Sequence, residues 1–118
     1  MITKSESHPE IEIGILGGTG LYDIEGIQNL REIELDTPFG KPSEAYVVGT
    51  LEGREIAFLS RHGRGHPLLP SEINYQANIY GFKMLGAGRI ISVNSVGSLK
   101  KHIKPRHIFI PDQFYDRT

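Results

Sequence analysis

The sequence predicts an α/β fold built on a mixed, mostly parallel sheet. Three features of the 118 residues carry that prediction. An Ile-rich run from Ile11 to Leu16 stops at Gly17-Gly18-Thr19-Gly20, the pattern of a buried strand feeding a tight turn. A helix-like stretch at 69–88 runs straight into a second apolar run at 89–93; helix then strand implies a right-handed crossover and hence parallel strands. Between them lie shorter apolar runs joined by antiparallel turn signals.

The first strand's turn is tested against the known glycine-rich loops. A dinucleotide fingerprint, G-x-G-x-x-G, counted from Gly18 places Asp23 where the third glycine belongs, which argues against close helix–strand packing of that type. A triphosphate loop needs Gly-Lys followed by Ser or Thr, and there is no lysine between Lys4 and Lys41. A nest of backbone N–H groups tipped by the Thr19 hydroxyl remains, suited to a single small anion such as phosphate. A plain turn without a ligand stays open at this point.

The next runs, 30–35, 45–51 and 55–59, read as strands. Thr37 to Pro42 separates the first two, and the short link Glu52-Gly53-Arg54 joins the last two as an antiparallel hairpin. The loop Ser60-Arg61-His62-Gly63-Arg64-Gly65-His66-Pro67 follows. It gathers two arginines and two histidines around glycines that let the backbone approach a ligand. Arginine offers a planar fork to two anion oxygens, and histidine adds a group that titrates near neutrality. His62 and His66 are four apart but sit on a Gly/Pro loop with no carboxylate before Glu72, so a metal site is not expected. A solvated basic loop is the competing reading.

The principal helix is expected over 71–85, with Ser71 as N-cap and Gly86 or Gly88 as stop. Ile73, Ala77, Tyr80 and Met84 share one face at helical spacing and are expected in the core, with Asn74, Gln76 and Asn78 making surface or neighbour contacts. The run Ile90, Ile91, Val93 then forms a second buried strand that ends in Asn94-Ser95-Val96-Gly97-Ser98. A further strand is expected at 107–111. In open α/β sheets ligands sit beyond the carboxyl ends of the strands. Thr19, Arg61-His62 and Asn94-Ser95 all fall just past such ends, so an oxyanion site is expected there.

Composition sets the outer limits. The length allows one domain, burying roughly two thirds of its unfolded surface. With 38% apolar and 23% charged residues and a formal charge of −1, the chain has the balance of a globular protein and no pull toward nucleic acid or an anionic membrane. It has no cysteine, which excludes disulfides, thiolate metal sites and a thiol nucleophile. No apolar run approaches the ~20 residues that span a bilayer. The polar start, residues 1–10, reads as a flexible arm without the apolar stretch of a secretory signal, and a cytoplasmic location is expected.

Five motifs, GILGGTGLYD, TPFGKPS, RHGRGH, INYQANIYGFKMLG and SVNSVGSL, together resemble the nucleoside phosphorylase superfamily, and within it the methylthioadenosine phosphorylases of the trimeric purine nucleoside phosphorylase type. The likeness runs in register from about residue 11 to Thr118, making 11–118 the N-terminal part of a phosphorylase domain whose sheet is incomplete at the C-terminus. It implies attack of inorganic phosphate, a co-substrate, on C1′ of methylthioadenosine, releasing adenine and 5-methylthioribose 1-phosphate in purine and methionine salvage. It implies no cofactor and no metal, and a homo-oligomer (a trimer or a dimer of trimers). Carried over, it assigns Thr19, Arg61 and His62 to phosphate, with Asn94 and Ser95 lining its remaining side and touching ribose. Many members have Thr-Ala or Ser-Ala where this chain has Asn94-Ser95, which leaves the preferred base open, methylthioinosine or a broader range of purine nucleosides being the alternatives. The likeness places the base-side catalytic residues beyond Thr118, and neither Asp112 nor Asp116 at the purine. The 118 residues alone are therefore expected not to turn over, and a non-catalytic phosphate-binding or assembly remnant is the competing reading.

Overall fold

The computed structural model describes residues 11–18, 25–63 and 68–115. The expected N-terminal arm, residues 1–10, lies outside them. Five strands form one sheet: β1 (Ile13–Gly17), β2 (Gln28–Ile33), β3 (Tyr46–Leu51), β4 (Arg54–Ser60) and β5 (Arg89–Ser92). Their order is β2-β3-β4-β1-β5. β1 lies between β4 and the edge strand β5 and pairs in parallel with both, whereas β2–β3 and β3–β4 are antiparallel. The sheet is mixed as expected, with the two pairing types equal in number among the described strands.

Local chemistry explains most of the joins. Leu51 pairs with Arg54 across a two-residue turn in which Glu52 and Gly53 both take positive φ, 49° and 79°. That left-handed pair matches the natural twist of a hairpin, and glycine supplies it at least cost. β2 starts slightly earlier than its apolar run and carries a bulge between Gln28 and Arg31, with Asn29 at φ 56°.

The helix α1 spans Tyr75–Met84 and so begins later than expected. Ser71 sits instead in a single 3-10 turn, Pro70–Glu72, in which the Glu72 carboxylate accepts from the Leu69 N–H at 2.9 Å. The N-cap is Asn74, whose Oδ1 accepts from the Ala77 N–H at 3.1 Å and whose Nδ2 donates to the Phe39 carbonyl at 2.7 Å. The stop at Gly86 is as expected: at φ 90° it bonds to Lys83 O while Ala87 bonds back to Phe82 O, the paired closure of a Schellman end.

The buried face of α1 also differs from expectation. Ala77, Asn78, Gly81 and Phe82 are buried, while Tyr80 and Met84 are only half-buried. The reason is close approach to the sheet. A side chain at Gly81 would collide with the Tyr46 ring, and one at Gly14 of β1 would collide with Phe82. Tyr46 and Phe82 meet edge to face, centroids 5.0 Å apart. They join Ile11, Leu16, Ile33, Val48, Ala57 and Leu59 in the core beneath α1, and Val47, Ile56 and Phe58 form a second cluster from the alternate positions of β3 and β4.

Two expectations fail beyond α1. β5 is paired but exposed, with Ile91 at 50%; pairing with β1 supplies its backbone bonds, but no described layer covers its faces. The segment 107–111 is not a strand, and Ile108 and Ile110 are almost fully exposed. An apolar, β-branched run becomes a strand only where a partner accepts its backbone bonds. No helix among the described residues is long and apolar enough to cross a membrane.

Candidate functional site

The two parallel pairings set three strand ends side by side. Gly17 stands opposite Ser60, and Leu16 opposite Ser92. The ladders continue one residue further, Arg61 N–H to Gly17 O at 3.1 Å and Val93 N–H to Leu16 O at 2.8 Å. The chain therefore leaves the sheet at Gly18, Arg61 and Val93 on one edge, the edge where ligands of open α/β sheets collect.

Arg61 ties that edge together. Its Nη1 donates to the Val93 carbonyl at 3.0 Å. Since β1 lies between β4 and β5, the guanidinium reaches across the carboxyl end of β1 to the far strand exit. One of its five N–H donors is used on Val93 O, and a planar guanidinium offers its donors in pairs that match two oxygens of an oxyanion.

His62 is held separately. Its Nδ1 lies 2.8 Å from the Leu68 carbonyl, and Leu68 N–H donates to His62 O at 2.8 Å. A carbonyl only accepts, so Nδ1 carries the proton and Nε2 is the nitrogen left for a ligand. The exchange pinches the loop shut at 62 and 68, and Gly63, buried at φ 79°, makes the turn with its N–H on Ser60 O. The Ser60 hydroxyl is buried, with no hydrogen-bond partner among the described residues.

Asn94 and Ser95 follow Val93 directly and are exposed. The Asn94 amide donates to the Ser92 hydroxyl at 3.3 Å. The structure thus brings Arg61 to the residue next to Asn94, and His62 to the same strand exit. Thr19 lies outside the described residues, as do Arg64 and His66; Gly18, which precedes Thr19, leaves the sheet at this edge. Among the described residues no group of three His, Asp or Glu is gathered as a metal site.

Sequence reasoning missed the support beneath this edge. Ser43 Oγ donates to the Arg61 carbonyl at 2.6 Å and accepts from Asn78 Nδ2 at 3.0 Å, and Ser43 N–H donates to Asn78 Oδ1 at 2.9 Å. The Tyr46 hydroxyl donates to Asn78 O at 2.7 Å, and its burial raises the hydroxyl's pKa above the ordinary tyrosine value. Ser43 and Asn78 are 35 residues apart, and no local spacing rule links them. Both residues lie inside motifs that carry the family resemblance, Ser43 at the end of TPFGKPS and Asn78 within INYQANIYGFKMLG, but neither motif says that the two meet.

Comparison with known proteins follows the same line. Residues 12–118 match the family model described as the Phosphorylase superfamily. The chain is 61% identical over 109 residues to an S-methyl-5′-thioadenosine phosphorylase of Koribacter versatilis and 60% identical over 106 residues to one of Geobacter sulfurreducens, covering 92% and 90% of itself. It spans 37% of the length of these curated relatives. Among solved structures it is similar to a methylthioadenosine phosphorylase from an antarctic soil metagenomic library, with TM-score 0.77 and 49% identity over 80% of this chain and 33% of that one. A methylthioadenosine phosphorylase from Schistosoma mansoni in complex with adenine gives TM-score 0.72 and 39% identity over 80% and 34%.

Proposed function

The chain belongs to the phosphorylase superfamily, and on that premise we propose that it supplies the phosphate side of a site for phosphorolysis of methylthioadenosine. The observation that carries this reading is Arg61, anchored at the exit of β4 and reaching across the end of β1 to Val93. An anion placed there faces a fixed cationic fork, the Nε2 of His62 and the small polar residues Asn94 and Ser95. Thr19, next in the chain after Gly18, is the hydroxyl donor that completes this set.

In the proposed reaction a phosphate oxygen bonds to C1′ as the C1′–N9 bond breaks. The bonding pair leaves with adenine, whose ring takes up a proton, and 5-methylthioribose 1-phosphate remains. The transition state is oxocarbenium-like, so a phosphate held beneath the ring both attacks and balances the growing positive charge. Arg61 contributes by position and electrostatics, holding the nucleophile in line and cancelling part of its charge before the reaction begins. The displacement changes no oxidation state, and phosphate is a co-substrate in place of any cofactor.

The base-reading groups belong, in this proposal, to the part of the relatives' length outside the matched 37%. The 118 residues alone bind phosphate but do not release adenine, since general-acid help to the leaving base, typically worth about 10²–10⁴-fold, is missing. The working enzyme is a cytoplasmic homo-oligomer of the trimeric type, serving purine and methionine salvage.

Calorimetric titration with inorganic phosphate tests the reading. Arg61→Ala is expected to weaken binding by about 1.5–3 kcal/mol, the scale of a charge-assisted hydrogen bond. Unchanged affinity in that variant would remove the assignment. Phosphate-dependent adenine release by the unaltered chain would show that the base-side groups lie within it.

A further inference from the structure

We propose that Ser43 and Asn78 form a positioning pair that aims Arg61 at the anion; the role rests on the phosphate reading above. Arg61 is fixed on both sides of its Cα. Its N–H is held by Gly17 O at 3.1 Å, and its C=O by Ser43 Oγ at 2.6 Å. With both flanking peptides held, only the side-chain torsions remain, and the far end of that side chain rests on Val93 O. The peptide that Ser43 grips is also the one joining Arg61 to His62, so one hydroxyl orients two candidate ligand groups.

The polarity of the network leaves one arrangement. Ser43 has a single hydroxyl proton and spends it on Arg61 O, so its oxygen must accept from Asn78 Nδ2. The amide oxygen of Asn78 is then the acceptor for Ser43 N–H. Turning the amide over would break both bonds at once. Asn78 itself is fully buried on α1, and its carbonyl accepts the hydroxyl of Tyr46, a residue of the core. A continuous line of contacts therefore runs from the core through Tyr46, Asn78 and Ser43 to the backbone of Arg61.

The pair also serves stability: Asn78 Oδ1 is the partner of Ser43 N–H and Ser43 Oγ that of Asn78 Nδ2, and an apolar residue at position 78 would leave Ser43 N–H without that bond. What a purely internal pair would not need is the third bond, from Ser43 Oγ to the carbonyl of the residue that spans the three strand exits.

The test uses the 118-residue chain, inorganic phosphate as the titrant, and four variants: Arg61→Ala, Ser43→Ala, Ser43→Thr and Ile56→Val. Ser43 is half-buried, and its truncation leaves the amide of buried Asn78 without its acceptor, a stability cost that a control must match. Ile56 belongs to the second core cluster, and trimming it lowers stability away from the site. Ser43→Ala is expected to weaken phosphate binding about fivefold or more, the effect of one lost hydrogen bond, while Ser43→Thr, which keeps the hydroxyl, and Ile56→Val bind as the unaltered chain does. In nitrogen-edited NMR the Nε–Hε resonance of Arg61, identified by its loss in Arg61→Ala, moves on phosphate addition at the same concentration in the unaltered chain and in Ser43→Thr, and only at about fivefold higher phosphate or more in Ser43→Ala. Full affinity in Ser43→Ala alongside a loss in Arg61→Ala overturns the positioning role and leaves the phosphate reading standing. A loss in Ile56→Val equal to that in Ser43→Ala also overturns it, since stability alone then explains the effect. Full affinity in Arg61→Ala overturns the phosphate reading and the positioning role together.

Discussion

β4 and β5 flank the same strand, β1, both in parallel, and both are rich in apolar residues, yet their surroundings differ completely. Ile56, Ala57, Phe58 and Leu59 of β4 are buried, while Ile90 and Ile91 of β5 are exposed at 36% and 50%. The difference lies in the layers. β4 has α1 and the Phe82 ring over one face, and on the other its side chains Ile56 and Phe58 pack among those of its neighbours, Val47 of β3 and Ile15 of β1; β5 has hydrogen bonds to β1 and little else among the described residues. Pairing satisfies the backbone, but burial needs a second layer, and the hydrophobic contribution follows the layer.

Three measurements break or sharpen that contrast. The largest effect is expected for Phe82→Ala, which empties the space between α1 and β1 and should cost about 3–5 kcal/mol in urea unfolding. A cost under about 1 kcal/mol would mean that α1 does not supply the layer over β4.

Tyr46→Phe comes next, at about 1 kcal/mol near neutrality for the lost bond to Asn78. Its pH dependence has a definite sign. Burial raises the Tyr46 pKa in the native state, so the native chain keeps a proton that the unfolded chain releases above about pH 10. The stabilisation is complete below that pH and is lost as the pH rises toward the native value. The advantage of the unaltered chain over Tyr46→Phe should therefore shrink, then reverse, above about pH 10. A gap that stays constant or widens there would mean that the hydroxyl is not buried.

The smallest effect is expected at Ile91→Ala, within about 0.5 kcal/mol, as for an exposed site. A cost comparable to that of Phe82→Ala would show that β5 acquires a covering layer in solution and would erase the contrast.

The same contrast explains what could be read from the sequence. The β3–β4 hairpin was legible because Glu52-Gly53 is a local device, two left-handed residues that need no help from elsewhere. The parallel pairing of β1 with β5 followed from helix then strand. The burial of β5 was not legible, since Ile90, Ile91 and Val93 look like any core strand whether or not a layer lies over them. The start of α1 was lost between two capping residues three apart, Ser71 and Asn74; a tertiary bond, Asn74 to Phe39 O, accompanies the winner. The buried face was misread because apolar spacing discounts a polar residue, and Asn78 is buried for the sake of its bonds to Ser43. At the site, Arg61 and His62 stood out by type and by their place after a strand, but no one-dimensional signal connects Ser43 with Arg61.

The contacts between α1 and the sheet have a consequence for how this chain can vary. Phe82 projects from the helix into the space left by Gly14, and Tyr46 projects from the sheet into the space left by Gly81. Each ring is a pin and each glycine its socket, and the two pins point in opposite directions. Two reciprocal pins fix both the position and the heading of a rod, so α1 can neither slide along the sheet nor swivel on it. Inheritance must then treat the four positions as two linked pairs: a side chain gained at 81 calls for a smaller residue at 46, and one gained at 14 for a smaller residue at 82. Tyr46 also donates its hydroxyl to the Asn78 carbonyl, so drift in the first pair disturbs a buried hydrogen bond as well as a packing contact, whereas the rings and glycines of the second pair meet by packing alone.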